Sequence, residues 1–127
     1  MILCFKRYMV VLAVVLLFTA CGRQHNAESA VQDFIEANHS NAGDVEVLSC
    51  SKIDSTKVLS DSAIAVMQHN AAPGFNKGIE YPARKSRLLY VLRTTYLSGS
   101  DTCGATFYLN SDMQVVALKP NAVVSGN

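Results

Sequence analysis

The sequence predicts an α+β domain in which an N-terminal helix packs on a small antiparallel sheet ending in a three-stranded meander, with a helical insertion. Three observations predict this fold class. A helical apolar stripe covers residues 27–35, two strand-like segments flank a turn at residues 98–101, and a third strand-like segment follows from residue 113. A helix stripe and a sheet face are buried most simply against each other, which gives a two-layer domain.

The first element is a helix predicted over residues 27–38. Asn26 can cap its start, and Gly43 ends the polar stretch that follows it. Polar residues occupy one helical face: Glu28, Gln32, Asp33 and Glu36. Apolar residues recur at the three-and-four spacing of the other face: Ala27, Ala30, Val31, Phe34 and Ile35.

The middle of the chain begins with a Val-rich alternating segment, residues 44–53, that predicts a strand carrying Cys50. Residues 61–70 predict a helix capped by Ser60 or Asp61 and ended by the segment Ala71-Ala72-Pro73-Gly74. A strand over residues 57–66 is the alternative, because its apolar residues also alternate loosely. The helix is the preferred interpretation.

The closing meander is predicted from turn chemistry and alternation together. Gly99-Ser100 suits a two-residue hairpin turn with glycine first, flanked by strands at 88–97 and 102–109. A third strand over 113–118 follows the turn at 110–112 and stops before Pro120, leaving a loose tail at 121–127. The hairpin turn predicts these facing pairs: Tyr96 with Cys103, Thr94 with Ala105, Leu92 with Phe107, and Tyr90 with Leu109.

That register divides the sheet into two faces. One becomes almost wholly apolar, with Tyr90 and Tyr96 in the core. The other is polar and carries five small or charged residues: Arg93, Thr95, Thr102, Gly104 and Thr106.

The chain begins with the pattern of an export signal. Lys6 and Arg7 precede an apolar run of eleven residues, 8–18, and small residues follow at 19–22. This run is shorter than the roughly 20 apolar residues of a membrane-spanning helix. Residues 1–20 are therefore predicted to be a signal peptide.

The cysteine at the cleavage point resembles the lipobox of bacterial lipoproteins. Leu17, Phe18, Thr19, Ala20 and Cys21 match that pattern, except that Phe18 stands where the family usually has Leu. The resemblance implies that Cys21 carries diacylglycerol and an N-acyl chain such as palmitate, and that signal peptidase II cuts before it. Gly22 is compatible with sorting to the outer membrane. The implied organisation is a lipid-anchored tether at 21–26 and a single domain at 27–120, facing the periplasm or the exterior.

The remaining layout is similar to that of small, uncharacterised Bacteroidetes-type lipoproteins. In these, a helix precedes a strand that ends like residues 51–56, and a meander closes the chain.

Cysteine use fits an exported domain. Cys4 belongs to the signal and Cys21 to the anchor, which leaves Cys50 and Cys103 in an oxidising compartment. They predict a disulfide that closes a loop of roughly 50 residues. The alternative is a pair of free thiols that pack as small apolar groups.

Charge gives no global argument for nucleic-acid binding. Without the signal, nine basic residues face ten acidic ones. The charges are nevertheless uneven, because acids dominate residues 28–61 and bases dominate 77–93. The two segments either face each other or form a contact surface. The residues predicted for such a partner contact are Tyr81, Arg84, Lys85, Arg87, Arg93 and Tyr108.

The sequence contains few candidate catalytic or metal-binding residues. The sequence predicts no metal site and no cofactor, because His25, His39 and His69 are scattered and no CxxC or HExxH spacing occurs. His69 near Asp61 is the one candidate base, so a small hydrolase is the third-ranked hypothesis and a non-enzymatic protein is preferred. No small-molecule substrate is evident.

The first functional hypothesis is a lipid-anchored envelope module that binds or scaffolds another envelope protein. The second is an exported inhibitor, or an exclusion factor that protects the envelope.

Overall fold

The computed structural model describes residues 22–70 and 72–121, and these confirm the predicted α+β class. The predicted signal peptide, Cys21 and most of the predicted tail lie outside the described residues. The strands are β1 (Val45–Cys50), β2 (Asp54–Thr56), β3 (Leu89–Ser98), β4 (Asp101–Leu109) and β5 (Val115–Pro120). They form one antiparallel sheet in the order β1-β3-β4-β5, and β2 pairs with β3 beyond the end of β1.

Helix α1 is longer than predicted. Within the described residues it covers 22–38, so the prediction that it starts at residue 27 was wrong. Residues 22–26 were assigned to a tether, but they are helical, and Gln24 fixes them to the segment between β1 and β2. Its Nε2 donates to Ser51 O at 2.9 Å, and its Oε1 accepts from the Ile53 N–H at 2.7 Å.

The apolar stripe of α1 packs on the sheet as predicted. Ala27, Val31 and Ile35 are at most 1% exposed. They pack in one cluster with the inward side chains of β3 and β4, among them Leu92 and Phe107. Spacing of four residues keeps the three helical side chains on one face, which explains why the whole stripe is buried.

The β3–β4 hairpin confirms the predicted register at every pair. Tyr96 faces Cys103 and Tyr90 faces Leu109, and the strands meet at Ser98 and Asp101. Gly99 has a φ of 63°, the left-handed conformation that the first position of this turn requires. Turn chemistry and facial alternation therefore set the same register.

Strand β1 is shorter than the predicted strand at 44–53 and contains a bulge. Val47 pairs with Tyr96 and Ser49 with Thr95, which leaves Leu48 as the extra residue. The bulge changes the alternation, so Val47 and Cys50 both pack against the core although they are three positions apart, a spacing that a regular strand places on opposite faces.

Strand β5 starts and ends later than predicted. Asn110 organises the turn before it, since its Oδ1 accepts from the N–H groups of Asp112 and Gln114. Pro120 is the last residue of β5 and faces Ala105, rather than standing outside the strand. Proline is tolerated there because β5 is an edge strand and needs no N–H donor on its free side.

Helix α2 covers Asp61–His69 and confirms the helical interpretation of this region over the strand alternative. Ser60 caps it, accepting the Ala63 N–H at 3.1 Å. The helix packs on the sheet face opposite α1, where Ile64 contacts a second cluster formed by Leu89, Val116 and Ala117. The sheet thus has a helix on each face, whereas the sequence predicted a two-layer packing.

The predicted disulfide is not formed. Cys50 and Cys103 are both free and half-buried. They lie on β1 and β4, which are separated by β3, so their Cα atoms are about 9.5 Å apart or more from the spacing of strands alone. A disulfide needs Cα atoms within about 7 Å. The free-thiol alternative is the one that the fold shows.

Candidate functional site

The basic residues predicted for partner contact are only partly available. The Arg84 side chain is 15% exposed, donates to Asp61 Oδ1 at 3.1 Å, and also donates to the carbonyls of Ser86 and Arg87. Lys85 forms an ion pair with Asp112. Both side chains are therefore engaged by carboxylates of the fold, one at the start of α2 and one in the turn before β5. The exposed Arg87 side chain has no ion pair within the described residues.

Arg84, Lys85 and Arg87 nevertheless share one feature. They line a cleft of about 520 Å³ together with the first turn of α2, where Ser60 and Asp61 lie. Asp61 places a carboxylate at the helix N-terminus, where a negative charge is favourable. The Asp61 carboxylate thus partly neutralises the positive charge of the cleft.

The other predicted contact residues lie elsewhere. Tyr81 stacks on Phe34 of α1, with ring centroids 5.8 Å apart, and burial raises the pKa of its hydroxyl. Tyr108 was predicted to contact a partner, but it is half-buried in the cluster beneath α2. Arg93 is exposed on the opposite sheet face from α1. The six residues therefore do not form one surface.

A groove of about 390 Å³, which was not predicted from the sequence, lies between α1 and the edge strand β1. Its floor is apolar and formed by Ile35, Val45 and Val47. Three carboxylates line its sides: Glu28 and Glu36 from α1, and Glu46 from β1. Glu28, Gln32 and Glu36 are spaced four residues apart, so they lie on one face of α1. They are the polar residues that α1 contributes to the groove.

Strand β1 is the open side of this groove. It pairs with β3 on one side only, which leaves the peptide groups of its other edge unpaired by any other described strand. Leu48, the bulged residue, is 49% exposed and also lines the groove. An open strand edge therefore lies beside apolar and acidic side chains.

The thiol in the groove is not activated. Burial raises the pKa of Cys50, the nearby Glu28 carboxylate raises it further, and a 3.6 Å hydrogen bond with Thr94 Oγ1 acts in the opposite direction. A thiol nucleophile needs a lowered pKa, which cationic neighbours or a helix N-terminus provide. The groove is thus suited to binding rather than to cysteine chemistry.

A second groove, of about 500 Å³, lies between α2 and β5 and is mainly apolar. Leu59, Met67, Tyr108 and Leu118 line it, and Val66 at its side is 58% exposed. Lys119 is the one charged residue in its lining. This groove can make apolar contacts, but its lining has no pattern of charges that would select a particular class of ligand.

The candidate base for a hydrolase is not assembled. Asp61 and His69 are the first and last residues of α2, so they are about 12 Å apart along the helix at 1.5 Å per residue. Among residues 22–70 and 72–121, no three side chains of His, Cys, Asp or Glu lie close enough to hold a metal ion.

No described helix has the length and hydrophobicity needed to cross a membrane. Comparison with known proteins found no matching family model, no matching curated protein and no matching solved structure.

Proposed function

We propose that this protein is a lipid-anchored envelope protein whose domain binds a basic, extended segment of another envelope protein in the groove between α1 and β1. One observation carries the proposal: the free edge of β1 lies beside three carboxylates over an apolar floor. The free strand edge supports backbone pairing, which is a common mode of peptide recognition.

The charges define the class of partner. Glu28, Glu36 and Glu46 line the groove, and no basic side chain does. Exposed ion pairs contribute only about 0–1 kcal/mol each, so the carboxylates would select basic segments and speed association more than they add affinity. Burial of apolar side chains against Val45 and Val47, at about 25 cal/mol per Å², would supply most of the affinity.

The bulge limits how the segment can pair. A bulge interrupts the regular hydrogen-bond ladder and increases strand twist, which discourages pairing between edge strands of identical copies. Pairing along Val45–Val47 is compatible with it, and Leu48 remains available for side-chain contact. The groove therefore favours a short segment over a long strand.

Attachment through Cys21 is the second part of the proposal. The lipobox-like residues 17–21 support it, and Cys21 directly precedes the first described residue of α1. Metabolic labelling with a fatty-acid analogue tests it. We expect label on the wild-type chain and none on Cys21→Ser, and equal labelling of the two would overturn the anchor.

A peptide titration tests the groove. An alternating Val-Lys peptide is added to the isotopically labelled mature chain carrying Cys21→Ser. We expect backbone amide shifts at residues 45–50 and binding that weakens with salt. An alternating Val-Glu peptide should not bind. Shifts confined to β5, or equal binding of the two peptides, would contradict the proposal.

Charge reversal provides the matched comparison. The pair Glu36→Lys and Glu46→Lys changes the groove, whereas Asp33→Lys and Asp101→Lys make the same net change on exposed positions outside it. We expect at least about tenfold weaker binding from the first pair and a change of less than about threefold from the second, because pair effects of 0.2–1 kcal/mol act only at short range.

A further inference from the structure

One end of the fold is basic, and it is the end at which the described part of α1 begins, at residue 22. Four segments form this end: the first turn of α1 (22–25), the connection 51–57, residues 84–88, and the turn 110–114. We refer to it as the anchor-proximal end.

Contacts between side chains and backbone join these four segments in two pairs, and the start of β3 connects the pairs. Gln24 bonds Ser51 and Ile53, so the start of α1 is fixed to the 51–57 connection. Lys85 pairs with Asp112, and Asn110 Nδ2 donates to Ala83 O at 2.9 Å, so the turn 110–114 is held to residues 83–88. The start of β3 connects these two pairs of segments, because Thr56 pairs with Leu89 and Arg23 lies over the Tyr90 ring at 5.5 Å. The end is therefore one continuous surface rather than separate loops.

Exposed cations dominate this surface. Arg23, Lys52, Lys57 and Arg87 are all exposed, and none forms an ion pair within the described residues. The charges of Arg84 and Lys85 are balanced by carboxylates. Of the carboxylates in these four segments, Asp54 alone is outside an ion pair.

The opposite end of the fold carries the opposite charge. The end of α1, residues 39–46, the 74–80 loop and the β3–β4 turn meet there, joined by Asn76 N–H to Asn38 O and Gly99 N–H to Asp44 O. One basic residue, Lys77, lies in these segments. Their acidic residues are Glu36, Asp44, Glu46, Glu80 and Asp101.

We propose that the anchor-proximal end lies against anionic phospholipid headgroups, so that the domain stands on the membrane with its acidic end pointing away. This inference rests on the proposed acylation of Cys21. Residue 22 is already helical, so a lipid on Cys21 would hold Arg23 and the adjoining segments within a Debye length, about 10 Å at 0.1 M salt, of the headgroups.

The arrangement of the cations favours a membrane over a discrete anionic ligand. The four cations without an ion pair come from three segments and do not converge in one pocket. Arg87 alone of them lines the cleft beside α2, where the other two basic residues, Arg84 and Lys85, are already paired with carboxylates. Dispersed Lys and Arg side chains next to a lipid anchor are the pattern by which proteins bind anionic leaflets. Repulsion of the acidic end would reinforce the same orientation.

The test uses the full chain, processed and purified from membranes, in vesicles of phosphatidylcholine alone or with phosphatidylglycerol added. Hydrogen–deuterium exchange is followed for peptides covering 51–57 and 84–88, and for 36–46 at the opposite end. We expect about threefold slower exchange at the first two in anionic vesicles at about 0.1 M salt, and loss of that difference at about 1 M, where the Debye length is about 3 Å. Residues 36–46 should not change.

Charge-reversal variants make the test specific. Lys52→Glu, Lys57→Glu and Arg87→Glu combined should remove the protection, and replacement of the same three by Gln should reduce it. The control triple Lys77→Glu, Arg93→Glu and Lys119→Glu makes the same net change on exposed residues outside the anchor-proximal end and should retain it. Equal loss in both triples, or no difference between vesicles, would overturn the inference.

The mass of the intact chain separates this inference from the proposal on which it rests. A chain without a lipid adduct on Cys21 would overturn the anchor. A lipidated chain without selective protection would overturn only the orientation.

Discussion

His39 is a buried histidine whose pKa is lowered by the fold. It is 5% exposed, packs edge-on against Phe75 and Tyr96, and accepts the Asn41 N–H at its Nδ1. Because Nδ1 accepts a hydrogen bond, the proton of the neutral ring is on Nε2. Protonation would place a charge among aromatic rings, and burial accordingly lowers the pKa of His39.

A pH dependence follows from that lowered pKa. The unfolded chain binds a proton at His39 more readily than the folded chain does, so stability rises with pH between the two pKa values. The contribution of His39 is complete above about 6.5, the ordinary pKa, and is lost as the pH falls from there through the lowered pKa of the folded chain. Urea unfolding from pH 8 to pH 5 should show a smaller loss of stability for His39→Gln than for wild type. An equal loss in both would contradict this account.

Gly74 packs directly against the same histidine. Its φ is 85°, and a Cβ placed there would lie 2.6 Å from His39 Nε2. Gly74→Ala combines the left-handed penalty of about 1–2 kcal/mol with a clash. We expect a loss of about 2–4 kcal/mol in the free energy of unfolding. Gly78→Ala is the control, because Gly78 has a φ of 75° with open space around it. This variant should lose only the left-handed backbone penalty of about 1–2 kcal/mol. Similar losses would show that the contact with His39 is unimportant.

At the scale of elements, features set by neighbouring residues could be predicted from the sequence, whereas features set by distant residues could not. The β3–β4 register follows from a glycine-first turn and alternation, both readable within twenty residues of chain. The bulge at Leu48 has no such signal, since its extra residue is defined only by the partner strand. The face covered by α2 could not be predicted either, because it depends on Leu89 and Val116, which are distant in the sequence.

The start of α1 is the clearest element-scale correction, and it is testable. Gln24 makes two hydrogen bonds to the backbone of residues 51 and 53, and Gln24→Ala would remove both. We expect a loss of about 1–3 kcal/mol and faster amide exchange at Ile53. Gln32→Ala, on the same helix at an exposed position without a side-chain hydrogen bond in the described part of the chain, should change stability by less than about 0.5 kcal/mol. Unchanged exchange at Ile53 in Gln24→Ala would mean that residues 22–26 are not held as described.

At the scale of the whole molecule, the candidate site arises from elements that are not adjacent in the sequence. Glu36 and Glu46 are separated by a turn and become neighbours of one groove only when α1 crosses the sheet beside β1. The spacing of Glu28, Gln32 and Glu36 was a readable signal of a polar helical face. This polar face forms a binding groove only because β1 is the edge strand. Strand order is a property of the complete fold, so the groove could not be predicted from the sequence.

Strand order also decides the state of the thiols. With β3 between them, Cys50 and Cys103 should both react with an alkylating reagent in the unfolded chain when no reductant is present. Mass spectrometry of the alkylated chain should show both residues modified. If neither residue reacts until reductant is added, the two cysteines are bonded. That result would contradict the strand order, because β3 lies between β1 and β4.

The helical start of α1 has a consequence for how the domain would meet other molecules. With Cys21 acylated, no flexible segment would separate the lipid from the folded domain, because residue 22 already belongs to α1 and Gln24 is hydrogen-bonded to the segment between β1 and β2. Such a domain could not search the space far above its membrane. It would encounter partners by lateral diffusion in the plane of the bilayer, or when they approach that surface themselves.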